Sequence, residues 1–414
     1  MNIEFYLYLI LNCIIFYSYY KKEDGIFQAP FLMAYTSIFV LLPQLSQIYL
    51  LEYYNQISLN LFIYVISTCN LTFVAGFEIS KYKYISSHYT YIKFNKIKRL
   101  LYVFIVIGLY SIFTWSDTYQ GGDNVIQSNL RSFASYAFCL LAPFLVKKNT
   151  PRRFFILACL CIIPIAYFAF FVKGSRGATL FLILSISFIA SLKYPYKKAQ
   201  IKKLGLILLI IGAIANASIS IIRHVLVGNP ATGEKVSTSE LSLITAYEKS
   251  FSNTEAGFNT DLGNAAIGID VLSKSFEMDY GITYIWDNFI QNYIPRRIVG
   301  EDVKESLKLK LVNDQKLTEY LTNGTTTMTG YYYAYRSFNM FAPILFLLIG
   351  MLIGYIWIKI KNSMLHFFIY LVVLANVPLF LTHGPGYIYS GLEFIFIFIY
   401  PFIYGGITKS KINK

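Results

Sequence analysis

The sequence predicts an all-α polytopic membrane protein, and three observations lead there. Apolar residues make up 56% of the chain and charged ones only 14%, whereas a soluble domain sits near 45–50% and about 25%. Apolar runs long enough to cross a bilayer, roughly 17–25 residues, recur along the chain. Basic residues collect in every second gap between those runs.

The runs lie near 4–20, 31–50, 58–79, 100–115, 132–146, 154–172, 178–192, 204–222, 339–358, 364–382 and 387–406. They predict about eleven transmembrane helices, with 10–12 as the range that the length rule allows. Pro43 interrupts the second run and Pro401 the last. The first run lacks a basic leader and a small-residue cleavage site, so it reads as an uncleaved anchor.

With the N-terminus outside, alternate loops hold Lys21 and Lys22, then Lys81 to Arg99, Lys147 to Arg153, Lys193 to Lys203, Lys359 and Lys361, and Lys409 to Lys414. The short loops on the other side hold Arg131, Lys173 and Arg176. That is the positive-inside pattern, with an outer N-terminus and a cytoplasmic C-terminus. The net charge of +14 is therefore a topology signal, and it gives no reason to expect a nucleic-acid partner.

Three parts follow: helices one to eight in 1–222, a large extracytoplasmic loop in 223–338, and helices nine to eleven with a short tail in 339–414. The loop is nearly neutral, and its aromatic and periodic apolar content argues against disorder. Helices are expected at Glu240–Ser252 and Glu301–Leu321, and an aromatic interfacial segment at Tyr280–Ile294. The picture is a helical cap over the outer mouth of the bundle. The five cysteines, Cys13, Cys69, Cys139, Cys159 and Cys161, fall in or beside the runs and read as small core residues.

The residues that can carry chemistry lie on the outer side. Lys173-Gly174-Ser175-Arg176-Gly177 forms a tight turn between two runs, a costly place for cations beside lipid. Glycines let backbone approach a ligand, a helix starting at Gly177-Ala178 favours an anion, and Arg176 adds a two-pronged donor. The ordinary alternative is an arginine that snorkels to bulk lipid phosphate. Arg296 and Arg297 follow Pro295 in the loop. Arg223 and His224 sit where the eighth run leaves the membrane, and Arg336 where the ninth begins. Arginine is ordinary at a helix end, but four separate approaches to one mouth suggest a shared anion. His383 lies in the turn His383-Gly384-Pro385-Gly386, where turn geometry is its usual role, although an imidazole suits a general base. Glu393 falls inside the last run, roughly 9 Å below its outer end at 1.5 Å per residue, where pairing with an arginine is expected. The outer loops contain no Asp-X-Asp pair and no zinc-ligand spacing. Neither a Walker loop nor a dinucleotide glycine motif is present, so no metal or cofactor is expected.

The Lys173–Gly177 turn and the Ile294-Pro295-Arg296 element, followed by Thr329-Gly330, a Tyr-rich approach to the ninth run, Phe338, Gly350 and Gly354, resemble the Wzy polymerases. These are the oligosaccharide repeat-unit (O-antigen) polymerases of bacterial inner membranes. The resemblance covers the whole architecture, but close motif matches only residues 173–177 and 294–297. Where many members carry an acidic residue, this chain has Tyr331 to Tyr335.

The resemblance implies a GT-C-like polymerase or ligase architecture and a metal-independent glycosyltransferase on the periplasmic face. The growing glycan on undecaprenyl pyrophosphate would be the donor. A hydroxyl of an incoming lipid-linked repeat would attack the anomeric carbon, and undecaprenyl pyrophosphate would leave. Cations would stabilise the departing charge: Arg176 and Arg296 first, with Arg297, Arg223, Arg336 and Lys173 beside them. On this reading the Arg176 and Arg296 guanidinium groups lie within about 10 Å of each other, the reach of contacts to one pyrophosphate. Gly174, Ser175 and Gly177 would cradle the phosphates, Tyr284 and Trp286 would stack on sugars, and Glu393 would line the site. His224, Glu277, Asp279, Asp287 and Glu301 remain open as the base, with His224 placed first. Implied partners are the lipid-linked oligosaccharide, membrane lipid and a polysaccharide chain-length regulator. The alternatives are an O-antigen ligase and a flippase of lipid-linked oligosaccharide. A flippase should show repeat symmetry, short loops and deep charges, and this chain shows none of the three clearly.

Overall fold

The computed structural model describes residues 3–50, 59–81, 88–113, 124–147, 149–168, 176–211, 261–275, 278, 280–281, 286–287, 289–290, 294, 299–309, 329–404 and 407–411. These residues are overwhelmingly helical: α1 (Ile3–Lys21), α2 (Ala29–Thr36), α3 (Leu42–Leu50), α4 (Leu59–Lys81), α5 (Phe94–Phe113), α6 (Asn124–Leu145), α7 (Arg152–Tyr167) and α8 (Arg176–Lys193) come first. After them come α9 (Pro195–Ile211), α10 (Asp261–Ser275), α11 (Glu301–Ser306), α12 (Gly330–Phe338), α13 (Ala342–Lys359), α14 (Met364–His383), α15 (Gly386–Phe394) and α16 (Tyr400–Tyr404). Among the described residues, five helical stretches are long and apolar enough to cross a membrane: Ile3–Lys21, Ala29–Ser46, Leu59–Lys81, Gly330–Lys359 and Met364–His383. A further pair, Thr179–Lys193 and Pro195–Ile211, meets the same test together across a 117° bend. The chain is a helical membrane-embedded protein, and the described part of each apolar run is largely helical.

The two proline-interrupted runs are continuous because the helix widens ahead of each proline. A π turn at Ser37–Leu41 precedes Pro43, with the Leu42 amide bonded to Ser37 O. A second at Ile395–Ile399 precedes Pro401, with the Tyr400 amide bonded to Ile395 O. Proline lacks an N–H and clashes with the carbonyl four residues back, and one wider turn absorbs that mismatch without ending the helix.

The tightest helix pair is α4 with α13. A Cβ placed on Gly350 would fall 2.2 Å from Phe73 O, and one on Gly354 2.6 Å from Phe77 O. In return, a Cβ on Gly76 would fall 2.1 Å from Leu347 O. Ser80 Oγ donates to Met351 O at 2.7 Å. Small residues let two backbones touch in an apolar medium, so the glycines that carry the family resemblance serve packing here. Phe73 meets Gly350 and Phe77 meets Gly354, so the helices run parallel and their lysines, Lys81 and Lys359, finish at one end.

A polar cluster sits inside the bundle beside this pair. Asn70 donates to Asn12 Oδ1 and to Ser37 Oγ, both at 3.0 Å, and its Oδ1 accepts from the Tyr331 hydroxyl at 2.7 Å. Asn12, Ser37, Asn70 and Tyr331 are all fully buried. Asn70→Leu removes three hydrogen bonds and strands their partners. We expect it to lower stability by about 1–3 kcal/mol, read as a fall in Tm of the purified protein in detergent. Tyr331→Phe, which loses one bond, should have the smaller effect.

All the basic loops gather at one end of the bundle. Glu78 binds Lys22 and Lys81, each at 2.9 Å, and accepts from the Tyr19 hydroxyl. Lys198 pairs with Asp24 at 2.6 Å and Glu23 at 3.0 Å, and Lys202 reaches Lys22 O at 2.9 Å. Lys193 Nζ caps Leu145 O at 3.1 Å. The expectation of an all-helical chain needs one correction at this end. His88–Ile92 (β1) and Ile407–Lys411 (β2) form an antiparallel two-stranded sheet, and the Thr90 amide bonds to Asn362 O at 2.8 Å. The sheet lies beyond the apolar runs, where alternating Tyr and Thr in β1 favour an extended chain.

The loop region is partly described. The Glu240–Ser252 expectation lies outside the described residues, and Tyr280–Ile294 is helical at 286–287 and 289–290. The helix expected to run to Leu321 ends at Ser306, and the reason lies in a preceding segment. The Trp286 indole donates to Leu307 O and the Leu309 amide donates to Asp287 Oδ1, both at 2.7 Å. These side chains capture backbone groups that a longer helix would use. Asp287, a candidate base in the sequence, is thus engaged as a cap. α10 is an element the sequence did not announce. It docks on α3, α4, α12 and α14, with Leu262, Ala265, Ala266, Ile269 and Leu272 buried. Of the cysteines, Cys69, Cys139 and Cys161 are buried, but Cys13 and Cys159 are exposed. Those two therefore lie on outward helix faces and are not core residues.

Candidate functional site

The end opposite the basic loops carries the candidate site. α10 is tied there through its Leu262 amide to Gln44 Oε1 at 3.1 Å, and the turn at Tyr280 through its amide to Ser337 O at 3.0 Å. α8 ends at Lys193 among the basic loops, so Arg176, its first residue, starts at the candidate end.

α12 is the element that shapes this end. Thr329 caps it, accepting from the Tyr332 amide at 3.4 Å. Gly330 lies so close to α14 that a Cβ would sit 2.3 Å from Phe380 O. Tyr331 stacks on Phe346 at 5.2 Å and 7°. From Gly330 to Ser337 every residue is buried except Tyr333 and Arg336. Three residues apart, these two share one helix face, and both are only partly buried, with Tyr333 still packed against the edge of the core. Arg336 is held by contacts of its own, yet its Nε is buried without a hydrogen bond.

The His383-Gly384-Pro385-Gly386 turn closes on Tyr333. Gly384 has φ +116°, and a Cβ there would fall 2.7 Å from Tyr333 Cδ2, so both its conformation and its neighbour require glycine. His383 Nδ1 lies 2.6 Å from Thr382 Oγ1, and Tyr387 meets the imidazole edge-on at 5.5 Å. Gly384 thus sets the turn against Tyr333, one helical turn before Arg336 on α12. Behind them, α10 places Asp270 near Tyr335 and pairs it with Lys274 at 2.7 Å.

Other expected site residues stand as follows. Trp286 is 42% exposed, with its indole N–H anchored and its ring stacked on Phe289 at 6.1 Å, which leaves a fixed aromatic surface. Glu393 lies on α15, and among the described residues it makes no ion pair with an arginine. Its Oε2 is buried without a hydrogen bond, next to Phe394, which stacks on Tyr136 at 4.2 Å. The backbone at Arg176 and Gly177 is helical, as expected for an anion-favouring start, but their side-chain surroundings are not described. Lys173, Gly174, Ser175, Arg223, His224, Glu277, Asp279, Tyr284, Arg296 and Arg297 lie outside the described residues, as does the expected approach of Arg296 to Arg176. Glu301 is exposed in the first turn of α11. Among the described residues, no three His, Cys, Asp or Glu side chains group as metal ligands would.

Read from sequence, Tyr333 has no role, and His383 is a turn residue that could also serve as a base. The signal for both was the Tyr333–Arg336 spacing on a buried helix and a glycine that only a close neighbour would demand.

Comparison with protein-family models, with curated proteins and with solved structures finds no match to this chain.

Proposed function

We propose that the chain is an oligosaccharide repeat-unit polymerase of the bacterial inner membrane. It would cross the membrane about eleven times, as the apolar runs suggest, with the basic loops cytoplasmic and the N-terminus periplasmic. The loop-bearing end then faces the periplasm, where lipid-linked repeats are joined. The growing glycan leaves undecaprenyl pyrophosphate for a hydroxyl of the incoming repeat. Arg176, Arg296, Arg297, Arg223, Arg336 and Lys173 would hold the pyrophosphate, Trp286 and Tyr284 the sugars. A chain-length regulator would be the protein partner.

The observation that supports this reading best is the division of the molecule into two ends. Ion-paired lysines fill one end. The other collects the start of α8 at Arg176, the Arg336 face of α12 and the aromatic segment around Trp286. Such an end suits an anionic lipid carrying sugars.

The test is the lipopolysaccharide ladder of a host that lacks this gene, complemented at matched expression. Wild type is expected to restore the ladder, and Arg296→Ala to leave core plus a single repeat. Loss of even the single repeat from the uncomplemented host would move the function to flipping or ligation and end the polymerase reading.

A further inference from the structure

Among the described residues of the basic end, the ion pairs lie at one corner. Glu23, Asp24 and Glu78 hold Lys198, Lys22 and Lys81 there, between α1, α4 and α9. The corner built by α5, α6 and α7 differs. No Asp or Glu occurs between Glu78 and Asp117, or between Asp123 and Glu234. Arg99, Lys147, Arg152, Arg153 and Lys193 accordingly take part in no ion pair among the described residues. Three rings form a platform for these cations. Phe94, at the start of α5, meets Phe154 of α7 at 4.8 Å and Phe144 of α6 at 5.5 Å, and Phe144 stacks on Phe154 at 5.6 Å. The Arg153 guanidinium lies 5.6 Å over Phe94 and 5.2 Å over Phe154, and Lys147 lies 5.4 Å over Phe144. A guanidinium laid on ring faces keeps its edge N–H donors for an anion.

Past the cations, both helices turn apolar in one pattern. On α5, Arg99 heads Tyr102, Val103, Val106 and Tyr110; on α7, Arg152 heads Phe155, Ile156, Cys159 and Ile163. Each set follows i, i+3, i+4, i+7, i+11, which is one helix face, and all ten residues are exposed. Lys193 adds a further cation at the head of the α7 stripe, 4.4 Å over the Phe155 ring. Inorganic phosphate or an acidic soluble peptide would match the cations and leave the stripes bare. A ligand with an anionic head and apolar tails matches both. We propose that this corner is a binding site for an anionic phospholipid of the leaflet at the basic end. Its phosphate lies on Arg152 and Arg153, and its acyl chains lie along the exposed stripes. The site goes beyond the polymerase reading and stands without it.

The test is native mass spectrometry of the full-length protein in detergent. It is titrated with phosphatidylglycerol, with phosphatidylcholine of the same acyl chains, with inorganic phosphate and with a decaglutamate peptide. Phosphatidylglycerol is expected to bind tightest of the four, and Arg152→Gln/Arg153→Gln to weaken it about tenfold or more. Lys197→Gln/Lys203→Gln removes the same charge from exposed lysines of α9 at the same end and should stay within about twofold of wild type. Should the arginine pair fail to fold, Arg152→Gln alone carries the test, with a loss of about threefold or more. Equal losses in the two double variants would reduce the attraction to the diffuse field of the basic end and overturn the site. Phosphatidylcholine, inorganic phosphate or decaglutamate binding as tightly as phosphatidylglycerol would overturn it too. None of these readings involves glycan transfer, so the polymerase reading stands or falls separately.

Discussion

Arg176→Ala is expected to stop chain growth almost completely. If the donor leaves as undecaprenyl pyrophosphate, negative charge builds on the phosphate oxygens as the anomeric bond breaks. Donors fixed in advance at that point lower the barrier, and removal of one such donor costs about 10²–10³-fold in rate. Arg176 begins α8, and on the proposed reading its guanidinium and the amides of the first helical turn would serve the same anion. Arg176→Lys keeps the charge but loses the planar fork, and most of the loss should remain. The measurement is the rate of lengthening of lipid-linked repeats at matched protein levels. An alanine variant within about threefold of wild type would remove Arg176 from the site.

Gly350→Leu is expected to prevent accumulation of folded protein. The hydrogen it replaces points at Phe73 O, 2.2 Å from where the Cβ would stand. The obstacle is backbone, so no rotamer change relieves it. α4 and α13 must separate, which also breaks the Ser80–Met351 hydrogen bond and strains the nearby Asn70–Tyr331 link. Overpacking costs about 1–3 kcal/mol and sometimes more, against a typical stability of about 5–15 kcal/mol. Size-exclusion profiles in detergent should show aggregate in place of a single peak, with Gly350→Ala intermediate. Gly354→Leu should fail in the same direction. A wild-type profile for Gly350→Leu would mean that the two helices do not meet through their backbones.

The five long apolar helices were legible because a membrane helix must satisfy its own backbone with apolar side chains around it, which writes long runs into the sequence. The gathering of basic loops was legible for the related reason that lysine placement sets orientation. The π turns were not, since proline announces a break and only packing decides whether the helix bends or widens. α10 escaped notice because its buried face is built from Ala265 and Ala266 among glycines. Its spacing, Leu262, Ala265, Ala266, Ile269, Leu272, is helical, yet its hydropathy is unremarkable. The early end of α11 was invisible for another reason, since Trp286 and Asp287 impose it from a separate segment. Within the candidate site, charge was legible and neighbourhood was not. Arg176 and Arg336 stand out in a list of residues, whereas the closure of the His383–Gly386 turn on Tyr333 appears only in the folded chain.

We propose that this chain joins lipid-linked repeats. The most direct test is to reconstitute the purified protein in vesicles with a single undecaprenyl-pyrophosphate-linked repeat and follow both products. The account predicts lipid-linked glycans of two or more repeats, with one undecaprenyl pyrophosphate freed for each new linkage. A repeat that stays single, or that crosses the bilayer without any new linkage, would contradict it.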